Sequence, residues 1–235
     1  MMEEKRDFAS VVKKSLDQLP LREVAVDPGL KRIEVEGGSI EIETFKAEKI
    51  EKLTFSTIKI HESSVSEESL LVWPEDTYDL PLFWCNLTQM PGMNIFINDF
   101  SPLMDVVVWP QYGEKYLDDL LAIKDSAAEK LKDGLVEREF KLSTKTVWAL
   151  SPHRTIFSLT DACIPRLGPI VDDYCKLYLK LWQDSAPIEK HEERQFCKRK
   201  KEALRKMMKE NDPGYHFMVN IFGADRTRKV FDLIF

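Results

Sequence analysis

The stretch Asp79–Asp105, DLPLFWCNLTQMPGMNIFINDFSPLMD, constrains the fold of this chain more than any other. Leu80–Leu87 is almost wholly apolar and follows a turn signal at Asp76-Thr77-Tyr78-Asp79. Pro91-Gly92 marks a reversal. Met93–Asn98 then runs Met, Asn, Ile, Phe, Ile, Asn. The whole reads as two strands joined by a turn, and strands joined this tightly are antiparallel neighbours. Asn86 and Asn94 lie inside the apolar runs. A buried amide without partners costs about 1–3 kcal/mol, so each must be satisfied. The two read either as satisfied core amides or as a pair pointing into a ligand pocket, and pattern alone does not choose.

The rest of the chain arranges itself around this hairpin. Arg6–Leu19 carries Phe8, Val11, Val12, Leu16 and Leu19 at helical spacing. Ser39–Phe45 and Leu53–Ile60 alternate as strands, with Gly37-Gly38 as the turn before the first. His61–Glu68 reads as a polar loop. Ser69–Trp73 is a short apolar strand stopped by Pro74, and Met104–Trp109 another, ended by Pro110. Beyond the strands helix dominates: Gly113–Leu131, Thr160–Gln183, Glu189–Glu210, Asp212–Phe222 and Arg226–Phe235. Thr146–Leu150 is the last strand candidate. Strands without intervening helices, flanked by helices on either side in sequence, predict an α/β fold. Its form is one antiparallel sheet between helical layers, a three-layer α/β/α sandwich in a single domain over residues 1–235.

Composition excludes several functions. The chain has 235 residues, 43% hydrophobic and 31% charged, enough for one sizeable core. A net charge of −6 argues against nucleic-acid partners. No apolar run reaches the length of a membrane span. The start, MMEEKRDFAS, has neither an apolar leader core nor the composition of a transit peptide, so no targeting segment is expected in this chain. Cys85, Cys163, Cys175 and Cys197 form no CxxC pair and no His/Cys cluster, which predicts reduced thiols and no metal site. With nine glycines and no GxGxxG or Walker A motif, a nucleotide cradle is not expected.

DLPLFWCN followed by MNIFINDFSPL resembles the central hairpin of the ferredoxin-dependent bilin reductases. ENDPGYHFMVNIFG at Glu210–Gly223 resembles their C-terminal signature, and ETFKAEKIEKLTFSTIKI at Glu43–Ile60 the strand before the hairpin. The blocks occur in family order and span most of the chain. Within the family the pattern is most similar to the phytochromobilin synthase branch, which has Asn at the position of Asn86, a second Asn at Asn94, and the Asp-Pro-Gly turn at Asp212-Pro213-Gly214.

The resemblance implies the same α/β/α sandwich, with a linear tetrapyrrole held between the sheet and the C-terminal helices. It implies reduction of biliverdin to phytochromobilin at the A-ring diene. Alternatives are reduction of 15,16-dihydrobiliverdin to phycoerythrobilin, or a four-electron reduction of biliverdin. A bilin-binding carrier without turnover is the alternative from another class. No cofactor of the protein's own is implied; electrons come singly from reduced ferredoxin. A monomer without membrane or nucleic-acid partners is expected, in plastid stroma or bacterial cytoplasm.

Each two-electron reduction also needs two protons, and ferredoxin supplies none. A carboxyl group in an apolar pocket has a raised pKa and can donate one. Asp212 is the catalytic candidate the resemblance points to, although Asp-Pro-Gly before a helical run is also what an N-cap looks like. Asn86 cannot titrate and is expected to steer the reduction by hydrogen bonding. Ser69 stands where the phytochromobilin synthase branch has Asp. That puts direct proton donation there in doubt and leaves a held water, or Glu67 or Glu68, to substitute. Arg154 is placed to bind a propionate, sharing a strand face with Ser158 if that segment is extended. His216, just after the turn, is placed near the pocket. Lys190–Lys209 carries nine Lys/Arg against Glu192, Glu193 and Glu202, either a solvated face or a docking surface for an acidic electron carrier.

Overall fold

The computed structural model describes residues 8–136 and 144–235. Among them the strands form one eight-stranded antiparallel sheet. These are β1 (Arg22–Glu23), β2 (Arg32–Val35), β3 (Gly38–Ala47), β4 (Ile50–Ile60), β5 (Val65–Pro74), β6 (Leu82–Met90), β7 (Met93–Ser101) and β8 (Thr155–Leu159). The order is β1-β3-β4-β5-β6-β7-β8, with β2 also pairing β3. From β3 to β7 each strand pairs with its sequence neighbour, as expected where no helix intervenes. The hairpin turn has Pro91 followed by Gly92 at φ 79°, the positive φ that a type II turn needs at its second central residue.

Helices cover both faces. On one lie α1 (Phe8–Ser15) and α6 (Leu167–Asp184). Tyr178 of α6 packs on Phe83 and Phe100 at 5.0 and 5.6 Å between ring centroids. Glu68 holds the start of α1, its Oε2 accepting from Ala9 N at 2.9 Å. On the other face lie α7 (His191–Asn211), α8 (Tyr215–Phe222) and α9 (Ala224–Ile234). There Arg205 sits over the Trp73 ring at 4.7 Å, and Lys52 Nζ donates to Leu233 O at 3.2 Å. The α/β/α sandwich is the fold the sequence predicted. The four cysteines are free and buried.

Five local expectations are corrected. Met104–Trp109 is not a strand: Asp105 Oδ1 accepts from Val107 N at 2.8 Å and Val108 N at 3.1 Å, curling the chain into a turn. Val107 and Val108 are left exposed, and Pro110 opens a short helix, α3 (Pro110–Tyr116). Thr146–Leu150 is helical: α5 spans Thr144–Ala149 and packs on α7 through Thr146 Oγ1 and Met207 Sδ at 3.9 Å. A short apolar run without alternation fits either state. The last strand is instead Thr155–Leu159, so the segment of Arg154 and Ser158 is extended. The second half of His61–Glu68 is strand: β5 begins at Val65, pairing with Ile60. Helix Gly113–Leu131 divides into α3 and α4 (Asp118–Leu131), and Thr160–Gln183 into a 3₁₀ turn at Asp161–Arg166, which contains Pro165, and α6. Of the expected first helix, Arg6 and Asp7 lie outside the described residues.

Candidate functional site

Register across the sheet decides which side chains share a face. Ser56 pairs with Ser69, Ser69 with Asn86, Asn86 with Ile97, and Ile97 with Ile156. The row beside it runs Ile58, Glu67, Thr88, Ile95, Ser158. Side chains two apart on a strand point the same way. Both rows therefore lie on the face that carries Trp73 and Lys52, under α7–α9. On that face polar groups gather at the centre of the sheet and aliphatic ones flank them. Ser56, Ser69 and Asn86 are buried, while Glu67 and Thr88 are part-buried.

These groups are linked. The Thr88 hydroxyl donates to Asn86 Oδ1 at 3.1 Å and lies 3.4 Å from Glu67 Oε2. Burial raises the Glu67 carboxyl from 4.5 to about 7. The nearby Asp212 carboxylate adds to the rise, and hydrogen bonds with Thr88 and Asn86 oppose it. Asp212 itself is raised by burial, against hydrogen bonds from the Gly214 and Tyr215 backbone. Its Oδ1 accepts from Gly214 N at 2.7 Å, so it does organise the turn between α7 and α8. The helix begins at Tyr215 rather than at Pro213, so Asp212 closes a tight turn instead of sitting at the N-cap. The turn and the sheet thus bring together two carboxyl groups, an amide and two hydroxyls.

The structure separates Asn94 from this group. It lies on the α6 face, and its Nδ2 donates to Asp161 Oδ1 at 2.8 Å and Leu159 O at 3.3 Å. It is a satisfied core amide on the face opposite Asn86. A two-residue turn that pairs Met90 with Met93 makes Asn86 oppose Ile97 and Asn94 oppose Gln89. That arithmetic was available in the sequence. Arg154 just precedes β8 and, by alternation, shares the face of Ile156 and Ser158. Its Nη1 donates to Ser151 O at 3.2 Å, and its charge acts on the buried Asp99. His216 is exposed beside Tyr215 and is not brought into the group. Glu68, on the α1 face, is excluded as a partner for Ser69. Ser56 and Thr88 escaped the sequence reading, because only cross-strand pairing places them.

Asp99 is a third raised carboxyl, pushed to about 6 by burial and pulled down by hydrogen bonds from Ser101 and Ser151. Ser151 donates to it from both Oγ, at 2.5 Å, and N, at 3.1 Å. This ties the segment before β8 to the sheet. A hollow of about 290 Å³, lined by Asp79, Trp109, Tyr112, Lys115, Ile188 and Glu193, lies away from all these residues, between α3 and the start of α7.

The basic stretch is α7. Lys198, Arg199 and Lys206 are exposed on it. Lys201 is buried, paired with Glu51 at 2.7 Å and with Asp76, and it donates to Pro74 O at 3.0 Å. It fastens the helix to the sheet and is no part of an exposed surface. Among the described residues no group of three or more His, Cys, Asp or Glu is arranged to hold a metal ion, and no helix is long and apolar enough to cross a membrane.

Comparison with known proteins bears on this site. The sequence pattern described as ferredoxin-dependent bilin reductase matches residues 9–232. A phycoerythrobilin:ferredoxin oxidoreductase of Prochlorococcus marinus strain MIT 9301 is 23% identical over 181 residues, 74% of this chain and 68% of that one. Its counterpart in strain MIT 9312 is 22% identical over 179 residues, 73% and 67% of the two chains. The crystal structure of selenomethionine phytochromobilin synthase from tomato, in complex with biliverdin, superposes with a TM-score of 0.82. It is 21% identical, and the match covers 96% of this chain and 81% of that one.

Proposed function

Taking the chain as what it is, a member of the ferredoxin-dependent bilin reductase family, we propose that it reduces a linear tetrapyrrole bound over the sheet face beneath α7–α9. The substrate in this reading is biliverdin, the reaction a two-electron reduction of the A-ring diene, and the product phytochromobilin. The observation that carries the reading is the cluster of Asn86, Ser69 and Glu67 on that face with Asp212 from the α7–α8 turn, Glu67 raised to about 7 and Asp212 raised by burial. A raised carboxyl holds a proton at working pH and can hand it to a ring carbon. The likeness to a biliverdin-bound synthase supports the substrate class.

The chemistry asks little more of the protein. Reduced ferredoxin supplies one electron at a time, and the protein carries no redox group of its own. Asp212 gives a proton once the bilin has accepted an electron. Asn86, which cannot titrate, holds a pyrrole nitrogen or lactam oxygen and orients the ring system. Arg154, on the same face, pairs a propionate. The protein acts as a monomer away from membranes and nucleic acid.

The names of the Prochlorococcus relatives favour a second substrate, 15,16-dihydrobiliverdin, with phycoerythrobilin as product. Incubation with each bilin and reduced ferredoxin in the absence of oxygen, followed by chromatography of the pigments, decides between them. Binding with a shifted visible band but no new pigment from either would instead make the protein a carrier.

A further inference from the structure

The proposed reduction consumes two protons, and Asp212 is one donor. Ser69, the residue paired with Asn86, is a hydroxyl and a poor acid. Two residues earlier on the same strand face stands Glu67, in register with Thr88. We propose that Glu67 is the second proton source for the bilin, working from the sheet side while Asp212 works from the helix side. This rests on the reading of the chain as a bilin reductase.

The geometry singles out Glu67. Glu68 is turned to the opposite face and bonds the start of α1. Glu67 is part-buried beside the Asn86 amide, within reach of the Thr88 hydroxyl that also contacts Asn86. Its register neighbours are Ile58 on β4 and Thr88 on β6, both uncharged. The charged group that acts on it is Asp212, from the α7–α8 turn. Burial and that repulsion raise the carboxyl to about 7, so near neutral pH a large share of the protein carries it protonated even while Asp212 is charged. Two interacting carboxyls release their protons in separated steps, which suits a reduction that takes electrons one at a time.

The balance closes. Two reduced ferredoxins give one electron each. The Asp212 and Glu67 carboxyls give one proton each, two C–H bonds form on the bilin, and water reprotonates both carboxylates.

Glu67→Gln tests this, because the amide keeps the size and the acceptor toward Thr88 but carries no acidic proton. The variant is expected to bind biliverdin with the parental absorption shift and to accept the first electron. It should accumulate a half-reduced radical and form product about 10²- to 10⁴-fold more slowly. The parent's turnover should fall as pH rises through about 7, and the variant should lose that limb. If the variant binds bilin and turns over at the parental rate with the parental pH profile, Glu67 is not a proton source. If the variant does not fold, the parent alone decides: turnover that stays flat from about pH 6 to about pH 9 overturns the inference. A parent that neither binds nor reduces any bilin contradicts the functional reading itself, and that outcome is separate from either of these.

Discussion

Glu67 on β5 and Asp212 at the end of α7 come from two different layers of the fold, close enough that the Asp212 charge raises the Glu67 carboxyl. A helical turn and a central strand thereby share one electrostatic problem, and neither carboxyl ionises as an isolated acid would. The cost of burying both carboxyls is built into the fold. It is what lets the site hold protons for a substrate that arrives needing them.

Asp212→Asn removes the proton and keeps the turn, because an Asn side chain also accepts from the backbone two residues on. Fold and bilin binding should survive. Product formation should fall about 10²- to 10⁴-fold, with a bilin radical visible by electron paramagnetic resonance. Removing the charge also relieves Glu67, whose pKa should drop, so the alkaline limb of whatever activity remains should move to lower pH. Asp212→Ala loses the 2.7 Å bond to Gly214 N as well and should cost about 0.5–1.5 kcal/mol in chemical denaturation. Parental turnover in Asp212→Asn would reduce the residue to a turn former.

Asn86→Asp places a third carboxyl within the Thr88–Glu67 network. Each added like charge raises its neighbours, so ring protonation should change place or timing. The expected result is an altered product mixture or a persistent intermediate, read by chromatography, with bilin binding retained. An unchanged product at an unchanged rate would leave Asn86 as a core amide.

Stability should carry the signature of Glu67. Its folded pKa, about 7, lies above the unfolded value of 4.5. The unfolded chain therefore releases this proton first as pH rises. The group's contribution to stability is full below about 4.5 and is lost as pH climbs through about 7. Denaturation midpoints measured from about pH 5 to about pH 8 should fall for the parent and fall less for Glu67→Gln. Asp99 adds a similar decline lower down, between 3.8 and about 6, in both proteins.

Much of this was legible in the sequence, and the exceptions share a cause. The hairpin announced itself through Pro91-Gly92 and its apolar flanks, and its register separates Asn86 from Asn94 by counting alone. Glu67 hid because HESSVSEE, polar apart from Val65, reads as loop. Only pairing with β4 on one side and β6 on the other makes it strand and gives each glutamate its face. Lys201 hid in the same way: in a run of Lys and Arg nothing marks the one that is buried among Glu51, Asp76 and Pro74 O. Met104–Trp109 has the apolar content of a strand, but the Asp105 carboxylate builds a turn there.

The buried role of Lys201 also decides which charges can serve an electron carrier. Reversing Lys198, Arg199 and Lys206 together to Glu should slow reduction by about tenfold or more at low salt. The difference should shrink as salt is added, with bilin binding intact, because exposed charges steer association and are screened over about 8–10 Å. Reversing Lys201 should instead unfold the contact between α7 and the sheet. A triple variant with parental rates at low salt would place ferredoxin docking elsewhere.

The central claim is that this face reduces bilins. Biliverdin and 15,16-dihydrobiliverdin, each incubated with the protein and reduced ferredoxin without oxygen and then chromatographed with mass detection, test it most directly. The account expects a pigment two hydrogens heavier from at least one of them, formed only when protein and ferredoxin are both present. Recovery of both bilins unchanged, with the ferredoxin shown to be reduced, would contradict it.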